Sequence, residues 1–533
     1  MMLHTRNVGG TAIFRASEAH EREIYNRVKK CVFRQFSPGT YTDKTDIVNV
    51  VNLMYREYYA ILDEYLPRID PRPFVAFLTE QYEQYGKVSD AHKPGRLSED
   101  DEVFWTSWAI YARRGIKHLM ELLCRSRLAT DNIAPTQALQ EDAISMVFIA
   151  AEELVSLYMR SDNYRNILDE VTLTLDPEVY TYFHVAEDNI HPFDKRQSFR
   201  DLSKYVPTPM FLQDTAAHGE VLNASFTETS GISYTDTLGV IQWVIDTYSD
   251  KKHPEQPGCF QWNEAVSTIA QALGILPSRA ESVLQGFTLS AENMKERELF
   301  RPKQEYRAYK RGFFRDQSEG INQVFFSRRM ASECLTLLAS EVPFRKLPPE
   351  WRAGSVNSAL NTLSLKAGRW FEDVVAGNLA ATGITGSTSV KAISLNKKER
   401  LKIPADIGEI DFLGFHEEKK LLVIIEVKQV GFATEPRMHL DDLSKFTLGS
   451  DNYSTRFIKK YQWVLENIDS VKQHFNHTFR LTPELNTAGY AMITLYPTIA
   501  ATKIKDFTCI SISEFMHDYH VNEAWPFSQT PLH

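Results

Sequence analysis

Apolar residues recur at spacings of three and four over 101–127 and 141–159, the pattern of helices that turn one face to a core. Turn-rich stretches at 92–98, 189–209 and 249–259 interrupt that rhythm, and residues 1–342 read as a mostly helical region with candidate subdomain limits at the latter two. Pro343, Pro348 and Pro349 fall within thirteen residues of polar and basic composition. They mark the strongest boundary, so 343–363 reads as a linker. No repeat of solenoid period is present.

The texture changes beyond 364. Residues 366–381 predict a helix with Phe371, Val374, Val375 and Leu379 on its apolar face. A strand follows at 387–395, then two strands at 409–415 and 421–427 joined by the polar loop 416–420, a hairpin pattern. Residues 452–475 predict one amphipathic helix with Phe457, Tyr461, Val464, Leu465, Ile468, Val471 and Phe475 on a stripe. Strands at 489–497 and 508–512 and a helix from 513 complete the order α-β-β-β-α-β-β. The fold class is multidomain α+β and α/β: a large, mostly α-helical N-terminal region of recognition or assembly, then a C-terminal α/β core over 364–533.

With 533 residues, 43% of them hydrophobic and 12% aromatic, the chain exceeds one compact core and is far from a disordered composition. A net charge of −9 excludes a uniformly basic nucleic-acid coat but leaves room for a local basic groove. The most apolar helical stretch, 144–159, carries Glu152 and Glu153 at its middle, and a bilayer needs about 20 apolar residues, so no membrane span is expected. The opening residues carry no apolar run, so no secretory signal is expected, and the five cysteines are scattered with no CxxC. That usage suits free thiols in a reducing cytoplasm rather than disulfides or structural zinc.

Chemistry concentrates in the hairpin GEIDFLGFHEEKKLLVIIEVKQ. Strand residues two apart share a face, so Glu426 and Lys428 project together. A turn centred on Glu418 and Lys419 sets Asp411 opposite Glu426, with Cβ atoms about 4.5–5.5 Å apart. Carboxylates that close raise a pKa unless a positive charge lies between them. Mg²⁺ or Mn²⁺ suits that place, because hard cations take carboxylate and carbonyl oxygens, and the Val427 carbonyl offers one more. Lys428 is then placed to orient or deprotonate a metal-bound water, the parts needed to hydrolyse a phosphodiester.

The pattern Asp411…Glu426-Val427-Lys428 and the order of elements resemble the PD-(D/E)XK nuclease superfamily, the restriction-endonuclease-like fold. Gly368-Arg369-Trp370-Phe371-Glu372 is similar to the G-x-x-F-E start of the first core helix in Mrr-like and Holliday-junction-resolvase-like members. The resemblance covers 364–515, and Ile410 stands where proline is common before the first acid. It implies a Mg²⁺-dependent endonuclease whose catalytic set is Asp411, Glu426, Lys428, Glu372 and Gln429. Asp411, Glu426, the Val427 carbonyl and Glu372 would be the metal ligands, and Gln462 an auxiliary polar residue. The implied substrate is DNA in preference to RNA, in restriction or anti-phage defence, with a homo-oligomer (dimer or higher) to cut two strands. The alternative on the same fold is a catalytically silent nucleic-acid sensor or scaffold.

Three further signals lie outside or beside this core. The run RPKQEYRAYKRGFFR at 301–315 holds six basic residues and one acidic, with aromatics interleaved, a composition suited to phosphates and bases. Its Arg301, Lys303, Arg307, Lys310, Arg311 and Arg315, with Lys397, Lys398 and Lys459, are the candidate nucleic-acid contacts; Arg456 and Lys460 read as lying off the buried stripe beside Lys459. Residues 269–283 resemble a helix-turn-helix with Gly274 at the turn and Pro277 opening the second helix, although such pairs are common in helical domains. Arg113 and His118 have the R-x4-H spacing of HEPN ribonucleases, which gives a third reading of function.

Overall fold

The computed structural model describes residues 4–93, 95–125, 137–179, 182–187, 202–207, 210–253, 255–294, 305–317, 322–434 and 436–532. The chain divides into two compact units, one of Met1–Asp188 with Thr215–Leu360 and the other of Asn189–Asp214 with Asn361–His533. It is a multidomain α+β protein. Among the described residues no helix is long and apolar enough to cross a membrane.

In the first unit, helix Lys44–Tyr65 packs on Gln137–Asn166, and Glu18–Phe33, Pro71–His92 and Glu99–Arg125 join them. Ile47, Val51, Met54, Tyr58 and Ile61 fall on one stripe of the first of these and are buried. Each aliphatic side chain so buried contributes about 1.5–3 kcal/mol. Asp43 starts that helix by accepting from the Thr45 and Asp46 amides, a cap worth roughly 1 kcal/mol. Gly115 faces the neighbouring helix, where a Cβ would stand in ordinary contact, 3.4 Å from the Glu152 nitrogen.

This unit is less purely helical than its pattern suggests. It carries a three-stranded antiparallel sheet (Gly39–Tyr41, Val171–Leu175, Phe183–Glu187) and a mixed four-stranded sheet (Gly258–Gln261, Gln323–Phe326, Phe313–Asp316, Thr288–Leu289). Strands this short leave too little alternation to read. The expected helix-turn-helix pair does form, as Trp262–Leu273 and Pro277–Gln285 with Gly274 left-handed at φ 63°. Its second helix turns Ala280, Val283 and Leu284 inward.

The stretch expected as a linker is packed instead. Pro343, Leu347 and Trp351 are buried, and the Trp351 indole donates to the Ser282 carbonyl. The following helix starts ten residues before its predicted 366, at Val356, because Ala359, Leu360, Leu363 and Ala367 extend the buried stripe backward.

In the second unit, numbered by itself, that helix is α1 (Val356–Ala381). The strands are β1 (Thr385–Val390), β2 (Ala392–Ser394), β3 (Arg400–Lys402), β4 (Ile410–His416) and β5 (Leu421–Lys428). Helices α2 (Pro436–Thr447), α3 (Tyr453–Glu466) and α4 (Ile468–Phe479) lead to β6 (Thr487–Thr494), then β7 (Thr508–Ser511), α5 (Ile512–Asn522) and β8 (Ser528–Pro531). The main sheet runs β1-β4-β5-β6-β7, with β8 also pairing β6. β5, β6 and β7 are mutually parallel and the other pairs antiparallel.

The hairpin register is the predicted one. Phe412 pairs with Ile425, and one further step along the same ladder sets Asp411 across from Glu426. Other elements differ from expectation. The strand at 387–395 divides after Val390, and β2 pairs β3 in a ribbon apart from the main sheet. The helix at 452–475 breaks at Asn467, which bonds back to the Trp463 and Val464 carbonyls, while Phe457, Val464, Val471 and Phe475 keep one buried stripe across the break. β5 is buried along nearly its whole length, as befits a central strand covered on both faces.

Candidate active site

At the end of β5 the hydrophobic run Leu421–Ile425 gives way to Glu426, whose side chain is only 3% exposed. A carboxylate that deep requires partners. Lys428, two residues on and on the same face, places Nζ 2.5 Å from Glu426 Oε1 and 3.5 Å from Asp411 Oδ2. Lys460 reaches in from α3, with Nζ 2.6 Å from Glu426 Oε2 and 3.5 Å from Asp411 Oδ1. The four groups form an alternating quartet of two acids and two ammoniums.

Two further bonds set its geometry. The Val427 amide donates to Asp411 Oδ2 at 2.8 Å, which fixes that carboxylate across the hairpin. The Lys428 ammonium also donates to the Val427 carbonyl at 3.2 Å. Burial alone would lower the Lys428 pKa, but Glu426 and Asp411 outweigh it and raise the value above the usual lysine range.

Glu372, on α1, stands apart from this quartet. Its Oε2 accepts from the Ser389 hydroxyl at 2.8 Å. Burial raises its pKa first, Asp411 and Glu409 raise it further, and the Ser389 bond and Lys428 oppose them. Ser389 lies between the paired positions Thr388–Phe412 and Val390–Ile410, level with Asp411 on the neighbouring strand. Its φ is 52°, a left-handed conformation that costs a residue with a Cβ roughly 1–2 kcal/mol.

The expected three-acid convergence is therefore corrected to two. Among the described residues no group of three or more His, Cys, Asp or Glu side chains is spaced to hold a metal ion. Glu372 is held on its serine, within electrostatic reach of Asp411. The smaller oxygen set still suits Mg²⁺, which is usually held by one or two carboxylates and keeps several waters. Asp411 Oδ2, Glu426 Oε1 and the Val427 carbonyl already converge on one positive charge, the Lys428 ammonium. Gln429 follows directly, its Nε2 buried without a hydrogen-bond partner among the described residues. Gln462 is exposed.

Lys460 and Ser389 are the site residues that sequence reasoning missed. Lys460 is buried and not, as expected, on the open face of its helix. It lies three residues after Phe457 and four before Val464, on the buried stripe itself, and a charge at that spacing is the signal that marks it.

The basic segment is also corrected. Arg301 and Lys303 lie outside the described residues. Arg307 bonds Glu121 through Nε at 2.7 Å, and Arg311, 1% exposed, bonds both oxygens of Glu350. Lys310 pairs with Glu341, and Arg315 lies over the Trp262 ring with its Nε on Asn322. Arg307 and Arg311 thus serve internal pairs and do not form an outer nucleic-acid surface. Lys397, Lys398 and Lys459 are exposed, and Arg456 pairs with Asp451.

The HEPN reading loses its geometry as well. Arg113 bonds Glu333 and the Tyr82 hydroxyl. His118 is 1% exposed beside Glu121, where burial lowers its pKa against the opposing pull of Glu121. Among the described residues all five cysteines are free thiols.

Comparison of the chain with family models, with curated proteins and with solved structures finds no match.

Proposed function

We propose that the second unit is a divalent-metal-dependent nuclease acting on DNA in preference to RNA. The observation that carries the reading is the convergence of Asp411 Oδ2, Glu426 Oε1 and the Val427 carbonyl on a single cationic group at 3.5, 2.5 and 3.2 Å. Those three oxygens would hold Mg²⁺ or Mn²⁺. When bound, such a cation supplies charge stabilisation on phosphoryl oxygens and a water of lowered pKa.

The remaining work falls to the chain's own groups. Lys460 fixes Glu426 through Oε2. The Val427 amide aims Asp411. Lys428, about a fifth exposed, donates hydrogen bonds that orient the attacking water or a phosphoryl oxygen. Glu372 and Ser389 border Asp411 and complete the polar wall. The run of α1, the β1-β4-β5-β6-β7 sheet and a helical crossover from β5 to parallel β6 supports a restriction-endonuclease-like core. A role in restriction or anti-phage defence, and a dimer to cut both strands, follow from the resemblance alone.

A quartet whose charges already balance favours a second reading, a silent nucleic-acid-binding scaffold. The test is incubation of the full chain with plasmid, linear and single-stranded DNA and with RNA, in Mg²⁺, Mn²⁺ or EDTA. The nuclease reading expects cleavage that EDTA stops and that Lys428→Ala abolishes with the circular dichroism spectrum unchanged. Cleavage untouched by Lys428→Ala removes the assigned site, and binding with no cleavage in any metal leaves the scaffold.

A further inference from the structure

Lys310 and Arg311, two of the cations of the segment at 305–315, line a cavity of about 210 Å³ in the first unit. Glu305, Lys310, Arg311, Glu341, Lys346 and Arg352 supply its polar wall, with Leu338, Leu347 and Pro348 as the apolar part. Four of these groups are cationic and two are acidic. Arg311 is compensated from outside the lining, since both Glu350 oxygens and three backbone carbonyls take its donors. That leaves Lys310, Lys346 and Arg352 against Glu341 and Glu305, an excess of one positive charge.

The donors are also underused. Lys310 and Lys346 share a single carboxylate, Glu341, at 3.1 and 2.9 Å. Each ammonium has three donors and spends one there. Burial first, and the neighbouring Lys346, pull the Lys310 pKa below the ordinary lysine value, although Glu341 opposes them. Arg352 spends one amino group on the Arg345 carbonyl, and its Nε is buried with no hydrogen-bond partner among the described residues. Buried unsatisfied donors in a native structure call for a missing acceptor, either water or an ion.

We propose that this cavity binds a phosphoryl group, as free phosphate or on a small phosphorylated molecule. Lys310 on one stretch of chain and Lys346 and Arg352 on another line one space, which matches a tetrahedral oxyanion with oxygens in several directions. The volume is many times what one water needs, so the phosphoryl group can carry an organic remainder. The site is independent of the quartet on β4, β5 and α3.

Calorimetric titration of the full chain with inorganic phosphate, adenosine monophosphate and adenosine tests this. Saturable binding of phosphate or of the monophosphate, and none of adenosine, is expected. Arg352→Gln and Lys346→Gln should each weaken it about tenfold or more, the loss expected for one charged hydrogen bond. Binding of the monophosphate alone identifies a phosphorylated molecule, and equal binding of both identifies free phosphate. Absence of binding by either, or binding indifferent to both substitutions, overturns the proposal. Should Arg352→Gln unfold the chain, Lys346→Gln decides, because that side chain is a third exposed.

Discussion

Lys460 Nζ lies 2.6 Å from Glu426 Oε2, which joins a helix to the central strand through a buried ion pair. The pair sits among Phe457, Val464 and Ile424, all fully buried. Removing one partner of a buried pair strands the other charge, at a cost of about 3–5 kcal/mol. Lys460→Met should therefore lower the unfolding free energy measured in urea by that order even though Lys428 still contacts Glu426. The double change Lys460→Met with Glu426→Leu should recover much of the loss. A double variant no more stable than Lys460→Met alone would show that the pair is not what the helix needs.

Ser389 invites a comparison of two small substitutions. Its left-handed φ of 52° is strained for any side chain, while its hydroxyl holds Glu372. Ser389→Ala loses the bond and keeps the strain; Ser389→Gly loses the bond and the strain. The glycine variant should be more stable than the alanine variant by about 1 kcal/mol in denaturant melts. Equal stabilities would mean that the strand relaxes at this residue.

The hairpin was legible because two short-range signals agree there: the apolar run over 421–425 and a charged turn whose centre fixes register. Glu426 and Asp411 could thus be set opposite each other from sequence. The fate of Arg307, Arg311 and Lys310 could not. Basic residues are rarely buried unless paired, and their partners come from afar: Glu121 is 186 positions from Arg307, and Glu350 is 39 from Arg311. Lys460 fell between these cases, since its place on the stripe was visible but its charge argued for solvent. The two-strand division at 387–395 turns on a left-handed serine, for which composition gives no warning.

Glu372 gives a prediction with a pH sign. Its raised pKa means that the folded chain holds this proton more tightly than the unfolded chain does. Stability then falls as pH rises from the ordinary value of 4.5 through the raised one. Glu372→Gln keeps an acceptor for Ser389 and removes the charge. Thermal melts should show the glutamine variant more stable than the parent at pH 7, with the gap closing below pH 4.5. A gap that is constant with pH would place the effect in packing. Activity lost in the same variant would show that the carboxylate is kept for function at the expense of stability.

The last prediction separates a structural from a binding role for Arg307. Glu121 accepts from its Nε at 2.7 Å and from the Ala308 amide at 2.8 Å, and neither side chain reaches solvent to any extent. Burial would raise the Glu121 pKa, but Arg307 first, and then His118, bring it down to about 2. A carboxylate depressed in this way contributes stability above its unfolded value of 4.5 and loses it as pH falls from there towards 2. Arg307→Met should destabilise the first unit by about 3–5 kcal/mol at neutral pH. The deficit should shrink as the medium is acidified through that window, because the stranded Glu121 is then protonated. DNA binding measured on the folded fraction should not change. If Arg307→Met folds as stably as the parent and binds DNA more weakly, the inward-facing pair is wrong and the arginine belongs to a nucleic-acid surface.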